Sequence, residues 1–147
     1  MTDELARDLE EQRNALDAAR KGLLEVVSPL SEGDLERGRR GGWTVQRVLE
    51  HVIWSEHMYA RLVTHLRGAT PQGEMGENTP TSIGDAIERL AASRAALLAA
   101  LDGVDEESFY RLQQIGHEEY SVISLLENTV SHDREHATQV REILAAR

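Results

Sequence analysis

Three histidines, His51, His132 and His136, carry the spacing of a metal site. His132 and His136 are four residues apart in a strongly helical segment, and residues at i and i+4 share one helix face, one turn apart. Two imidazoles so placed can ligate the same divalent ion. His51 lies in another helical segment, in the run Leu49-Glu50-His51-Val52, and a third imidazole from a neighbouring helix would complete the set. Catalytic zinc often has three protein ligands and keeps a further position open for water or substrate. A H-x-x-x-H spacing alone also occurs on surface helices that bind nothing. His57, His65 and His117 read as ordinary surface or loop histidines, with His117 placed where it can line a pocket mouth.

Other chemistries find less support. There is no cysteine, so thiol nucleophiles are excluded and a metal must rest on nitrogen and oxygen. No nucleophile elbow, P-loop or dinucleotide fingerprint is present. The sequence lacks an E-x-x-H pair, which removes the carboxylate-bridged di-iron pattern of helical bundles. His132-Asp133-Arg134-Glu135-His136 also differs from H-E-x-x-H in the position of its acids. The net charge of -10, from 26 acidic against 16 basic residues, argues against a nucleic-acid partner and against docking on anionic lipid. No apolar run approaches membrane-spanning length, and the acidic start Met1-Thr2-Asp3-Glu4 lacks the apolar core of a secretory signal. The expectation is a cytoplasmic protein of one domain, residues 1–147.

Four helical segments would position these residues, with no convincing strand. The first covers about Asp3 to Val27, with Leu5, Leu9, Leu16 and Leu23 at helical spacing. The second opens at Thr44, a good N-cap, with Trp43 and Val48 in hydrophobic-staple positions, and continues to Gly68. The third opens at Ser82 and stops at Gly103, and the fourth runs from about Ser121 to Leu144. Four amphipathic helices of this length make an all-α four-helix bundle. The polar stretch from Gly68 to Pro80 can serve as a surface loop. At about 3.3 Å per residue it is also long enough to cross the length of the bundle and join helices 2 and 3 in parallel.

On helical wheels the apolar stripes contain polar residues. Glu56 sits in the stripe of helix 2, Arg94 in that of helix 3, Asp133 in that of helix 4 and Gln12 in that of helix 1. A buried charge is costly unless paired, so Arg94 is expected to pair with Glu56, Asp133 or both. Such a layer would orient the histidines from behind or fix the register of the bundle.

Gly42-Trp43-Thr44-Val45, Leu49-Glu50-His51-Val52 and Ser131-His132-Asp133-Arg134-Glu135-His136, in this order, resemble the DinB-like (DinB/YfiT) superfamily. The resemblance extends over essentially the whole chain. It implies a four-helix bundle in up-down-down-up order with a long helix 2–3 crossover. It also implies a divalent metal, zinc, nickel or iron, held by His51, His132 and His136. Characterised relatives include maleylpyruvate isomerases and S-transferases that use mycothiol, bacillithiol or glutathione. The maleylpyruvate isomerases carry an additional C-terminal domain, which is not expected here, so that specific activity is the less expected one. The resemblance therefore implies a metal-dependent transferase using a low-molecular-weight thiol on a small electrophile, and a homodimer. Glu56 and Asp133 are then candidate orienters or proton acceptors. Hydrolysis of a small molecule by the same metal, or a non-catalytic stress-response bundle, are the alternatives.

Overall fold

Each of the four expected helices begins at a side chain that caps it. The computed structural model describes residues 1–146 and contains α1 (Asp3–Val27), α2 (Val45–Leu66), α3 (Ile83–Leu101), a short α4 (Glu106–Tyr110) and α5 (Val122–Ala145). Thr2, Thr44, Ser82 and Ser121 each accept a hydrogen bond from the backbone amide three residues on, satisfying donors that the first helical turn leaves unpaired. Gly68 and Gly103 follow the ends of α2 and α3 with φ of 84° and 71°, the left-handed backbone that closes a helix and that glycine adopts without strain.

Side-chain contacts fix the helix directions. Along α2 and α3 the partners rise together. Gln46 donates to the Pro80 carbonyl, Glu56 is paired with Arg94, and Arg67 donates to the carbonyls of Ala100 and Asp102. The two helices are therefore parallel, and the segment from Gly68 to Ser82 is a crossover. Leu5, Leu9 and Leu16 of α1 share a cluster with Ala60, Val63 and Leu66 of α2 and with Val122, Leu125 and Leu126 of α5. Leu23, Val26 and Val27 share another with Val45 to Ile53 of α2 and with Ala137, Val140 and Ile143 of α5. Helix α1 thus runs parallel to α5 and antiparallel to α2, which gives the up-down-down-up order.

Between these two apolar clusters lies a layer of four charges, one from each long helix. Arg20, Glu56, Arg94 and Asp133 are 7%, 2%, 8% and 1% exposed. Arg94 donates to Glu56 at 2.8 Å and to Asp133 at 2.9 Å. Arg20 donates to Glu56 at 2.9 Å and to Asp133 at 3.0 and 3.3 Å. Ser93 donates its hydroxyl to Glu56 as well. Two guanidiniums against two carboxylates make the layer neutral, and every charged group in it has several hydrogen bonds. Burial by itself would raise the Glu56 carboxyl pKa, but Arg20, Arg94 and the Ser93 hydroxyl together hold it below the ordinary value.

The structure departs from expectation in several places, among them the short α4 between the third and last long helices. Arg20, not Gln12, is the α1 member of the layer: Gln12 is half-buried one turn below Leu16 and has no side-chain partner among the described residues. Glu32–Glu36 forms a short 3-10 helix. A two-stranded antiparallel hairpin, β1 (Gln113–Ile115) and β2 (Glu118–Tyr120), precedes α5. Its turn is Gly116-His117, with Gly116 at φ 63°, a backbone that tight hairpin turns require. Among the described residues no helix is long and apolar enough to cross a membrane.

Candidate metal centre

Helices α2 and α5 run antiparallel and carry His51, His132 and His136 to one seam. Asp133, Ala137 and Val140 take the inward face of α5, so His132 and His136 come to the side that faces the beginning of α2. One ring nitrogen from each of the three histidines lies within 4.8 Å of the others. Donors about 2.1 Å from a shared tetrahedral ion are about 3.4 Å apart, so modest rotation of the rings would close the set. The ring centroids are 5.0 Å apart for His51 and His136, 5.3 Å for His132 and His136, and 5.7 Å for His51 and His132. All three side chains are half-buried.

The surroundings of His51 and His132 favour neutral, lone-pair-bearing imidazoles. Gln139 Oε1 lies 2.7 Å from His136 Nδ1. With the amide so oriented, Nδ1 donates and Nε2 keeps its lone pair, the arrangement by which an outer residue fixes a ligand histidine. His132 Nδ1 is buried with no hydrogen-bond partner among the described residues, an uncommon state for a buried polar atom. Burial first, then the neighbouring His136, His132 and Arg47, push His51 below the ordinary imidazole pKa. Burial and His136 push His132 down as well, against the opposing pull of Glu135 and Asp133. Neutral imidazole is the metal-binding form, and a set of three nitrogen donors suits zinc, nickel or iron. The residues fit a divalent ion.

Aromatic side chains flank the cluster. Trp43 is 40% exposed and sets its ring edge-on to His51, with centroids 5.2 Å apart. The Arg47 guanidinium sits over the Trp43 ring at 5.3 Å. Trp43 therefore makes a wall of the histidine site, while Val48, its expected staple partner, is fully buried in the core. At the far side Tyr59 stands 5.6 Å from His132, centroid to centroid. Burial, with Tyr120 and Glu135 nearby, pushes the Tyr59 phenol pKa up. Behind Trp43 is a cavity of about 170 Å³ bounded by Arg39, Gln139 and Glu142. A larger one, about 750 Å³, lies under the crossover against His57, Arg61 and Ala96, and none of the three clustered histidines lines it.

Glu56 and Asp133 stand behind the site, in the charged layer. Their hydrogen bonds go to Arg20, Arg94 and Ser93, and none goes to a histidine. His65 and His117 are exposed, His117 at the hairpin turn, and neither joins the cluster. Tyr59 and Gln139 escaped the sequence reading. The i+3 spacing of Gln139 from His136 was the available signal.

The up-down-down-up bundle defines a fold class that known proteins share. Residues 15–140 match the profile of the DinB superfamily, and the chain belongs to it. The fold is similar to that of TT2238, a four-helix bundle protein, at 23% identity and a TM-score of 0.69, over 90% of this chain and 96% of that one. It is also similar to a DinB-like protein from Bacillus cereus, at 16% identity and a TM-score of 0.73, over 92% and 90% of the two chains. A DinB-like protein from Bacillus subtilis gives 13% identity and a TM-score of 0.68, over 92% and 90%. No functionally curated protein matches the chain.

Proposed function

We propose that His51, His132 and His136 hold a divalent metal ion, and that the protein transfers a low-molecular-weight thiol to a small electrophile. The observation that carries the metal is the convergence of three imidazole nitrogens within 4.8 Å, with no carboxylate in the set. The thiol rests on the resemblance to the DinB-like enzymes. When bound, such an ion acts as a Lewis acid that lowers the pKa of a thiol or a water in its remaining position.

The chain's own residues would prepare the site. Gln139 fixes the His136 tautomer, and burial keeps His51 and His132 neutral. Trp43 bounds the site beside His51, and Arg47 places a positive charge at that rim. In the transfer, the thiol sulfur bonds to an electrophilic carbon. The leaving group departs with its bonding electron pair, and the thiol proton passes to solvent. Glu56 and Asp133, held by arginines, would keep α2 and α5 in register behind the histidines.

The test is conjugate formation between 1-chloro-2,4-dinitrobenzene and glutathione, bacillithiol or mycothiol, using protein loaded with Zn, Ni or Fe. The expected result is turnover with at least one thiol that His51→Ala abolishes. No rate above the uncatalysed background for any metal and thiol would refute the transferase reading. Metal-dependent release of product in water without thiol would favour hydrolysis in its place.

A further inference from the structure

The three histidines leave one nearby polar group unused. Tyr59 lies eight residues after His51 on α2, about 80° further round at 100° per residue, so it reaches the same seam. Its Oη is 3.5 Å from His132 Nε2, beyond the usual range of about 2.7–3.2 Å for a good hydrogen bond. No other hydrogen-bond partner of this hydroxyl occurs among the described residues. Tyr120, the neighbouring phenol, donates to Glu118 at 3.0 Å and is not free in this way. A half-buried O–H thus stands beside the cluster with its hydrogen uncommitted.

The 3.5 Å separation also resembles the spacing of about 3.4 Å between two groups that share one tetrahedral ion. A ligand entering beside His132 would therefore come within reach of the phenol. The chemistry suits an anion: a neutral O–H donor is not repelled by a dication, as a lysine or arginine there would be, and it pairs with a lone pair on the incoming group. Trp43 bounds the opposite end at His51.

We propose that the Tyr59 phenol is a hydrogen-bond donor to the small anion that binds between the three histidines, which makes it a residue for ligand capture. This rests on the reading of the histidines as a metal site. A thiolate is the physiological class it would take.

The test uses Co2+ as metal and azide as anion, followed by the visible absorption of the cobalt. Wild type, Tyr59→Phe and Tyr120→Phe are loaded with Co2+ and titrated with azide. Equal Co2+ stoichiometry and melting temperature are expected in all three. Azide binding should weaken about tenfold to a hundredfold in Tyr59→Phe alone, the usual effect of losing one hydrogen bond to a charged group. Unchanged azide affinity in Tyr59→Phe, or an equal loss in Tyr120→Phe, would overturn the proposal. Loss of Co2+ from Tyr59→Phe would overturn it too, since Tyr59 would then be a metal ligand. A wild type that takes up no Co2+ would instead remove the metal reading, and this inference with it.

Discussion

Replacing Arg94 by methionine should be among the most damaging single changes in this protein. Methionine preserves much of the apolar stem but removes a guanidinium that donates at 2.8 Å to Glu56 Oε2 and at 2.9 Å to Asp133 Oδ2. Glu56 Oε2 then has no donor among the described residues, and Asp133 Oδ2 retains only Arg20 at 3.0 Å. The layer passes from neutral to one net negative charge between two apolar clusters. Breaking a buried ion pair from one side costs about 3–5 kcal/mol, a large share of the roughly 5–15 kcal/mol of a typical domain. At about 2–4 °C per kcal/mol for a chain of this size, the melting temperature should fall by about 6–20 °C. Urea denaturation followed by circular dichroism gives the free energy directly. The double variant Arg94→Met/Glu56→Leu is the sharper comparison. It restores neutrality, leaves Arg20 paired with Asp133 and leaves Ser93 bonded to the Leu90 carbonyl at 3.1 Å, so it should be more stable than Arg94→Met alone. A loss below about 1 kcal/mol in the single variant, or a double variant less stable than the single, would refute the reasoning.

Three further outcomes follow from the same geometry. Gln139→Leu should lower metal affinity about 10- to 100-fold without unfolding the protein, because it frees the His136 ring that the 2.7 Å contact orients; competition with a chromophoric chelator measures this. Glu56 has a folded pKa below its ordinary value of 4.5, so its stabilisation is complete above that value and is lost as pH falls below it. Urea midpoints should drop in this acid range, and less steeply in Glu56→Gln. Thr44→Ala removes the cap that accepts from the Arg47 amide at 3.1 Å and should cost about 1 kcal/mol, read as a lowered urea midpoint with an unchanged slope.

The helices and their caps were legible because Thr44 and Ser82 stand directly before apolar residues at helical spacing, and glycines follow both helices. The parallel crossover could be anticipated from length alone. Longitudinal register could not: a helical wheel reports the face a residue occupies, not the height at which helices meet. Gln12 and Arg20 both lie on the α1 stripe, and only the packing of α5 against α1 shows that Arg20 stands level with Asp133. The i, i+4, i+7 run of Leu16, Arg20 and Leu23 was the signal that would have found it. The hairpin strands, three residues each, are too short for a period of two to register, although Gly116 marked their turn. The histidine set was visible as a pair and a partner, but its support was not. Tyr59 lies among the apolar positions of helix 2, and Gln139 carries no signal beyond its i+3 spacing from His136.

The most direct measurement is the metal content of purified, untagged protein, by elemental analysis, beside His51→Ala, His132→Ala and His136→Ala. The account predicts about one equivalent of zinc, nickel or iron in the wild type, lost in every variant while the helical circular dichroism remains. No bound metal and no uptake of any of these ions on addition would contradict it, and would leave a bundle whose three histidines serve some other purpose.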